Sequence, residues 1–91
     1  MKRQDQEKKQ HRLSLADRSL LEMNGVGEVI TFDEHEIRLE TSLGPLVITG
    51  EELNIRTLDL ESGLLKLEGK VNRMDYISSG KMEGFLARLF R

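Results

Sequence analysis

Between residues 19 and 77, apolar side chains recur at every second position in short runs broken by glycine or polar clusters. Ile37, Leu39 and Thr41 alternate with Glu36, Arg38 and Glu40, the period of a half-buried strand. Val26, Glu28, Ile30 and Phe32 interleave with Gly27, Val29 and Thr31, which predicts a more fully buried strand. Leu46, Val47 and Ile48 form a short buried strand behind Pro45, whose missing N–H is tolerated at a first position. Leu53, Ile55 and Thr57 alternate, then Leu58 and Leu60 shift the pattern by one, which predicts a bulge or bend near Arg56 and Thr57. Leu65, Leu67, Gly69 and Val71 resume the alternation, and Met74, Tyr76 and Ile77 close it.

The joins favour strands over helices. Residues 33–35, 42–44 and 61–63 are short, polar or glycine-bearing, and suit hairpins. Gly50-Glu51-Glu52 reads as a further turn. Six or seven strands on such turns predict an all-β fold, an antiparallel meander forming a small sandwich or barrel. A 19-residue spacing relates Gly25, Gly44 and Gly63, then Gly50 and Gly69, and also Leu20, Leu39 and Leu58. That recurrence keeps solenoid-like stacking open as an alternative, against coincidence in a glycine-punctuated meander.

Both ends depart from this texture. Residues 1–18 carry Lys2, Arg3, Lys8, Lys9, Arg12 and Arg18 with few apolar side chains, and are expected to be a flexible basic arm. Residues 78–91 read as a hinge followed by a short amphipathic helix. Met82, Phe85, Leu86, Leu89 and Phe90 fall on one helical stripe, with Arg88 and Arg91 beside it. A helix of about three turns needs something to dock on. It either caps the β-domain of residues 19–77 or engages an external partner, and the candidate interaction residues are Phe85, Leu86, Arg88, Leu89, Phe90 and Arg91.

Composition narrows the function classes. The chain has 91 residues, enough for one small domain, and a net charge of −2 that argues against a general nucleic-acid binder. The charge is unevenly placed. Residues 19–77 hold twelve acidic and five basic side chains, between two basic ends. With no cysteine there is neither a disulfide framework nor a thiolate metal site. Apolar runs such as residues 46–48 fall far short of the ~20 residues of a membrane span, and no secretory signal is evident, so a cytosolic protein is expected. His11 and His35 are the two imidazoles. Asp33, Glu34, His35 and Glu36 are a candidate hard-cation cluster, although a solvated hairpin tip explains them as well. Gly25-Val26-Gly27 leads into a strand and so lacks the helix that phosphate binding requires. No catalytic constellation or cofactor site emerges, and the expectation is a non-enzymatic protein.

The stretch "ITFDEHEIRLETSLGPLVITGEELNIRTLDLESGLLKLEGKVNRMDYI", with its strand pair "LVITGEELNI", its hairpin "LDLESGLLKLEGKV" and the closing "MDYI", resembles the YabP/YqfC family of bacterial sporulation proteins. The ending "GFLARLFR" is more similar to the YabP branch. The resemblance implies a protein made during sporulation in the mother-cell cytoplasm, peripheral at the forespore outer membrane, and engaged in spore envelope and cortex assembly. The partner it implies is a YabQ-like membrane protein, with no cofactor; the strand-rich body adds a second copy of the chain as a candidate partner, and the basic C-terminal helix an anionic membrane surface. Two alternatives stand beside it: a self-assembling β-rich module, and a small metal-dependent regulator built around His35.

Overall fold

The computed structural model describes residues 10–77. They form six strands: β1 (Leu13–Ala16), β2 (Leu20–Met23), β3 (Val26–Phe32), β4 (Glu36–Thr41), β5 (Gly44–Asp59) and β6 (Leu64–Tyr76). All pair antiparallel in one sheet of order β1-β2-β6-β5-β4-β3. The all-β expectation holds. The turns at 33–35, 42–44 and 61–63 are where the sequence places them, and the last is closed by Asp59, which accepts from Gly63 N at 2.8 Å and, through Oδ1, from Glu61 N at 3.1 Å.

The β5–β6 hairpin is the spine, and it is bent. Its ladder shifts register three times, once between Ile55 and Thr57, at the break the alternation predicts. The other two shifts lie around Gly50–Glu51–Glu52 opposite residues 69–72, where Glu52 takes a positive φ of 56°. The chain therefore does not turn at 50–52, as glycine followed by two glutamates suggests. It bulges and continues, because Leu53 is drawn into the core and its N–H, like that of Gly50, is bonded to the backbone of Glu34 or His35.

The bend divides the sheet into two halves with apolar rows. Val29, Leu39, Leu46 and Tyr76 lie in register across one half, as do Phe32, Ile37, Ile48 and Met74. Leu15, Leu21, Leu67 and Ile55 lie in register across the other, as do Leu13, Met23, Leu65 and Leu58. Members of both halves share one buried cluster, including Leu21, Met23, Ile37, Leu39, Leu46, Ile48, Leu65 and Leu67. A backbone bond from Val26 N to Gly63 O (3.0 Å) ties the start of β3 to the tip of the spine across the fold.

Four further expectations need correction. The architecture is a single open sheet folded over itself, neither a two-sheet sandwich nor a closed barrel, because bulges crease a continuous hairpin while β1 and β3 are unpaired edges among the described residues. It is not a solenoid. Gly25, Gly44 and Gly63 recur because each occupies a connection that needs positive φ (78°, 117° and 80°). β3 is an exposed edge and not a buried strand, with Ile30 and Phe32 about half exposed. Finally, residues 13–16, read as part of a flexible arm, form β1 by pairing Leu13 with Met23 and Leu15 with Leu21. The rest of the arm, residues 1–9, and the helix predicted over 81–91 lie outside the described residues.

Candidate interaction surface

The six candidate interaction residues, Phe85, Leu86, Arg88, Leu89, Phe90 and Arg91, also lie outside the described residues. The described fold does place the points where both flanking segments join it. His11 donates from Nδ1 to the carbonyl of Asn24 (2.8 Å), and its Nε2 is hydrogen-bonded to the Tyr76 hydroxyl (2.5 Å). The two rings meet edge to face, with centroids 5.7 Å apart. Desolvation of the phenol raises its pKa above the ordinary tyrosine value. Asn24 completes the latch by accepting the Arg12 N–H on Oδ1 at 2.8 Å. One residue beyond Tyr76, Ile77 is buried and bonded to Pro45 O at 3.0 Å.

The latch joins residues 65 positions apart, and nothing local in the sequence signals it. His11 reads as a member of the arm because its partners, a turn carbonyl and the end of the last strand, are set by topology. The consequence is electrostatic. Residues 1–9, with Lys2, Arg3, Lys8 and Lys9, and residues 78–91, with Lys81, Arg88 and Arg91, attach to the same end of an acidic body.

The hairpin tip at His35 is a solvent-facing turn. Asp33 Oδ1 accepts from the N–H groups of His35 (2.7 Å) and Glu36 (2.9 Å), while the Glu34 carboxylate and the His35 ring stay 4.0 Å apart in solvent. Among the described residues, no group of three or more His, Asp or Glu side chains is placed to hold a metal ion. The two backbone bonds hold the Asp33 carboxyl below its ordinary pKa, with a smaller contribution in the same direction from the His35 charge. A depressed folded pKa contributes stability above the ordinary carboxylate range, and that contribution is lost as pH falls through the folded value. Asp33→Ala is therefore expected to be less stable than the native chain at neutral pH, with the difference shrinking in strongly acidic buffer. Paired thermal melts across that range check it, and a pH-independent difference would count against the Asp33 turn as its source.

The surface grooves are shallow. The larger, about 640 Å³, runs between Arg18, Glu52, Glu68 and Lys70. Arg18 is committed there to the backbone and side chain of the β6 bulge, through Val71 O (3.1 Å) and Asn72 Oδ1 (2.8 Å), and Glu68 is paired with Arg56 at 3.1 Å. A second groove of about 480 Å³ lies over Ser14, Leu20, Arg56 and Lys66. No helix among the described residues is long and apolar enough to cross a membrane.

Fold and surface together define a small antiparallel β-domain whose acidic body lies between two basic flanks in the sequence. The YabP family model matches residues 7–83, and the chain belongs to the YabP family. It is 34% identical over 85 residues to Spore protein YabP of Bacillus subtilis (strain 168), an alignment covering 90% of this chain and 85% of that relative.

Proposed function

We propose that the chain is a non-enzymatic sporulation protein that acts in assembly of the spore envelope and cortex through protein–protein or membrane-surface contacts. Membership of the YabP family supports the sporulation role. The observation that supports the contact reading is the His11–Tyr76 latch, which puts the points where the two basic flanks join the acidic body beside each other. There Arg88, Arg91 and the lysines of the arm act together on one anionic surface, each worth about 1 kcal/mol near acidic lipid. Phe85, Leu86, Leu89 and Phe90 supply the apolar insertion or the contact with a membrane protein of the YabQ type. The working location is the mother-cell cytoplasm, peripheral at the forespore outer membrane.

The test is flotation with anionic vesicles. The full chain is expected to float at low salt and to be released as salt rises. A chain ending at Gly80, and Phe85→Glu/Phe90→Glu in the full chain, should stay in the bottom fraction while keeping the β-sheet spectrum. Flotation of the folded double variant to the same extent as the native chain would remove the C-terminal segment as the anchor.

A second reading is a self-assembling β module. It is favoured by the two sheet edges left unpaired among the described residues, which carry the partly exposed Leu13 and Leu15 on β1 and Ile30 and Phe32 on β3.

A further inference from the structure

The two edges differ in how they are finished. β3 is broken by two register shifts against β4 and carries Glu28, devices that discourage pairing with another chain. β1 runs in unbroken register with β2 and contains neither proline, lysine nor a bulge. The direction of its main-chain groups follows from its ends. Arg12 O accepts from Asn24 N (3.0 Å), Arg12 N donates to Asn24 Oδ1 (2.8 Å), and Ala16 O accepts from Ser19 N (2.9 Å). Inward and outward groups alternate along an antiparallel ladder, so Arg12, Ser14 and Ala16 face β2 while Leu13 and Leu15 aim their N–H and C=O away from the sheet. The side chains of those two leucines share the core face with their partners Met23 and Leu21, yet remain 36% and 37% exposed. Among the described residues this edge is free, and it presents two donors and two acceptors beneath two half-covered leucines.

We propose that β1 pairs antiparallel with β1 of a second copy about a twofold axis at Ser14. A twofold normal to the sheet keeps the core faces of both copies on one side, so like-facing positions must be opposed. Centred on Ser14, Leu13 of each copy lies opposite Leu15 of the other, and four N–H···O=C bonds use every outward group of the two leucines. The four leucines then form cross-strand pairs that extend the apolar row of Leu21 and Leu67 into the neighbouring copy. Arg12 falls opposite Ala16, so no like charges meet. Other centres fail. On Leu15, Leu13 would face Asp17, where φ of 53° has already taken the chain out of the strand. On Leu13, Leu15 would face His11, beyond the strand and held in the latch. Four residues per copy make a small interface, so the dimer is concentration-dependent and in exchange with monomer. The inference rests on the self-association reading and gives it a place and a register.

The chain has no cysteine, so Ser14→Cys in the full chain creates a single thiol. At the axis the two Ser14 positions form a non-hydrogen-bonded pair with Cα atoms about 4.5 Å apart, at the short end of the disulfide range of about 4.4–6.8 Å. Mild oxidation is expected to yield the disulfide dimer at least ~10-fold faster than for Ser62→Cys in the exposed β5–β6 turn, because pairing raises the effective thiol concentration. Adding Leu15→Lys should bring the Ser14→Cys rate down to that of the control, and sedimentation velocity should show the native chain moving from monomer to dimer with concentration. Should Leu15→Lys lose its β-sheet spectrum, the rate ratio of the two cysteine variants decides alone. Concentration-dependent dimers with no preference for Ser14→Cys would overturn the β1 register and leave self-association standing. A native chain that stays monomeric would overturn both.

Discussion

Gly50→Ala is expected to destabilise the domain by about 3 kcal/mol or more, lowering the thermal midpoint by roughly 15–25 °C. A Cβ at position 50 would run into the carbonyl oxygen of Lys70, with Leu53 Cδ2 at 3.1 Å behind it. The obstacle is backbone of the paired strand, so no rotamer change relieves it. Gly69 faces the same crossing from the other side, at φ of 130°, with its missing Cβ directed at the backbone of Glu52 and Leu53. Here the two arms of the spine approach more closely than a pleated ladder with side chains allows, and the crease that folds the sheet over depends on that approach. Gly27→Ala is the control: in β3, the nearest atom to a new Cβ is Glu40 O at 3.8 Å, and its midpoint should move by only a few degrees. Circular dichroism melts of the variants check the ranking. A Gly50→Ala chain that melts with the native one would mean the crease is not built on this contact.

How far the sequence reveals this fold depends on the range of the interaction concerned. Ile37 and Leu39 are legible because a half-buried strand alternates locally, and they are fully buried. The slip between Ile55 and Thr57 is legible for the same reason, since a bulge leaves a one-residue shift in the pattern. Gly50-Glu51-Glu52 misleads because a bulge inside a bent hairpin has the same composition as a turn. What distinguishes them is the burial of Leu53 and the approach of Lys70, and both depend on residues far along the chain. β3 misleads because alternation reports which positions share a face, not whether another strand covers it. β1 is hidden by its charged surroundings: Leu13 and Leu15 lie in a strand through their pairing with Met23 and Leu21, which in turn pair with Leu65 and Leu67 of β6. The His11–Tyr76 contact is the extreme case, joining a residue of the arm to the last strand. The apolar stripe Phe85, Leu86, Leu89 and Phe90 is plain in the sequence, whereas the common exit point of the two flanks is a property of topology alone.

Ile48→Ala and Leu67→Ala are each expected to cost about 2–5 kcal/mol, the range for deleting most of a buried aliphatic side chain. They belong to opposite halves of the folded sheet. Ile48 stands between Ile37 and Met74, and Leu67 between Leu21 and Ile55, at 0% and 1% exposure. Were the halves separable, each variant would soften only its own half. The shared cluster predicts instead that each lowers the stability of the whole domain. The chain offers an internal reporter, since its single tyrosine, Tyr76, lies in the Ile48 half and there is no tryptophan. Leu67→Ala should therefore shift the Tyr76 fluorescence midpoint as far as the backbone circular dichroism midpoint. Leu20→Ala, at a side chain 55% exposed on the outer face, should move both very little. Tyrosine and backbone midpoints that separate in Leu67→Ala would show two units meeting at the crease. Coincident midpoints make the two halves one cooperative unit, so that the end holding Tyr76, His11 and the attachment of both basic flanks is stabilised by packing in the far half, including the Leu21–Leu67 row that supports β1.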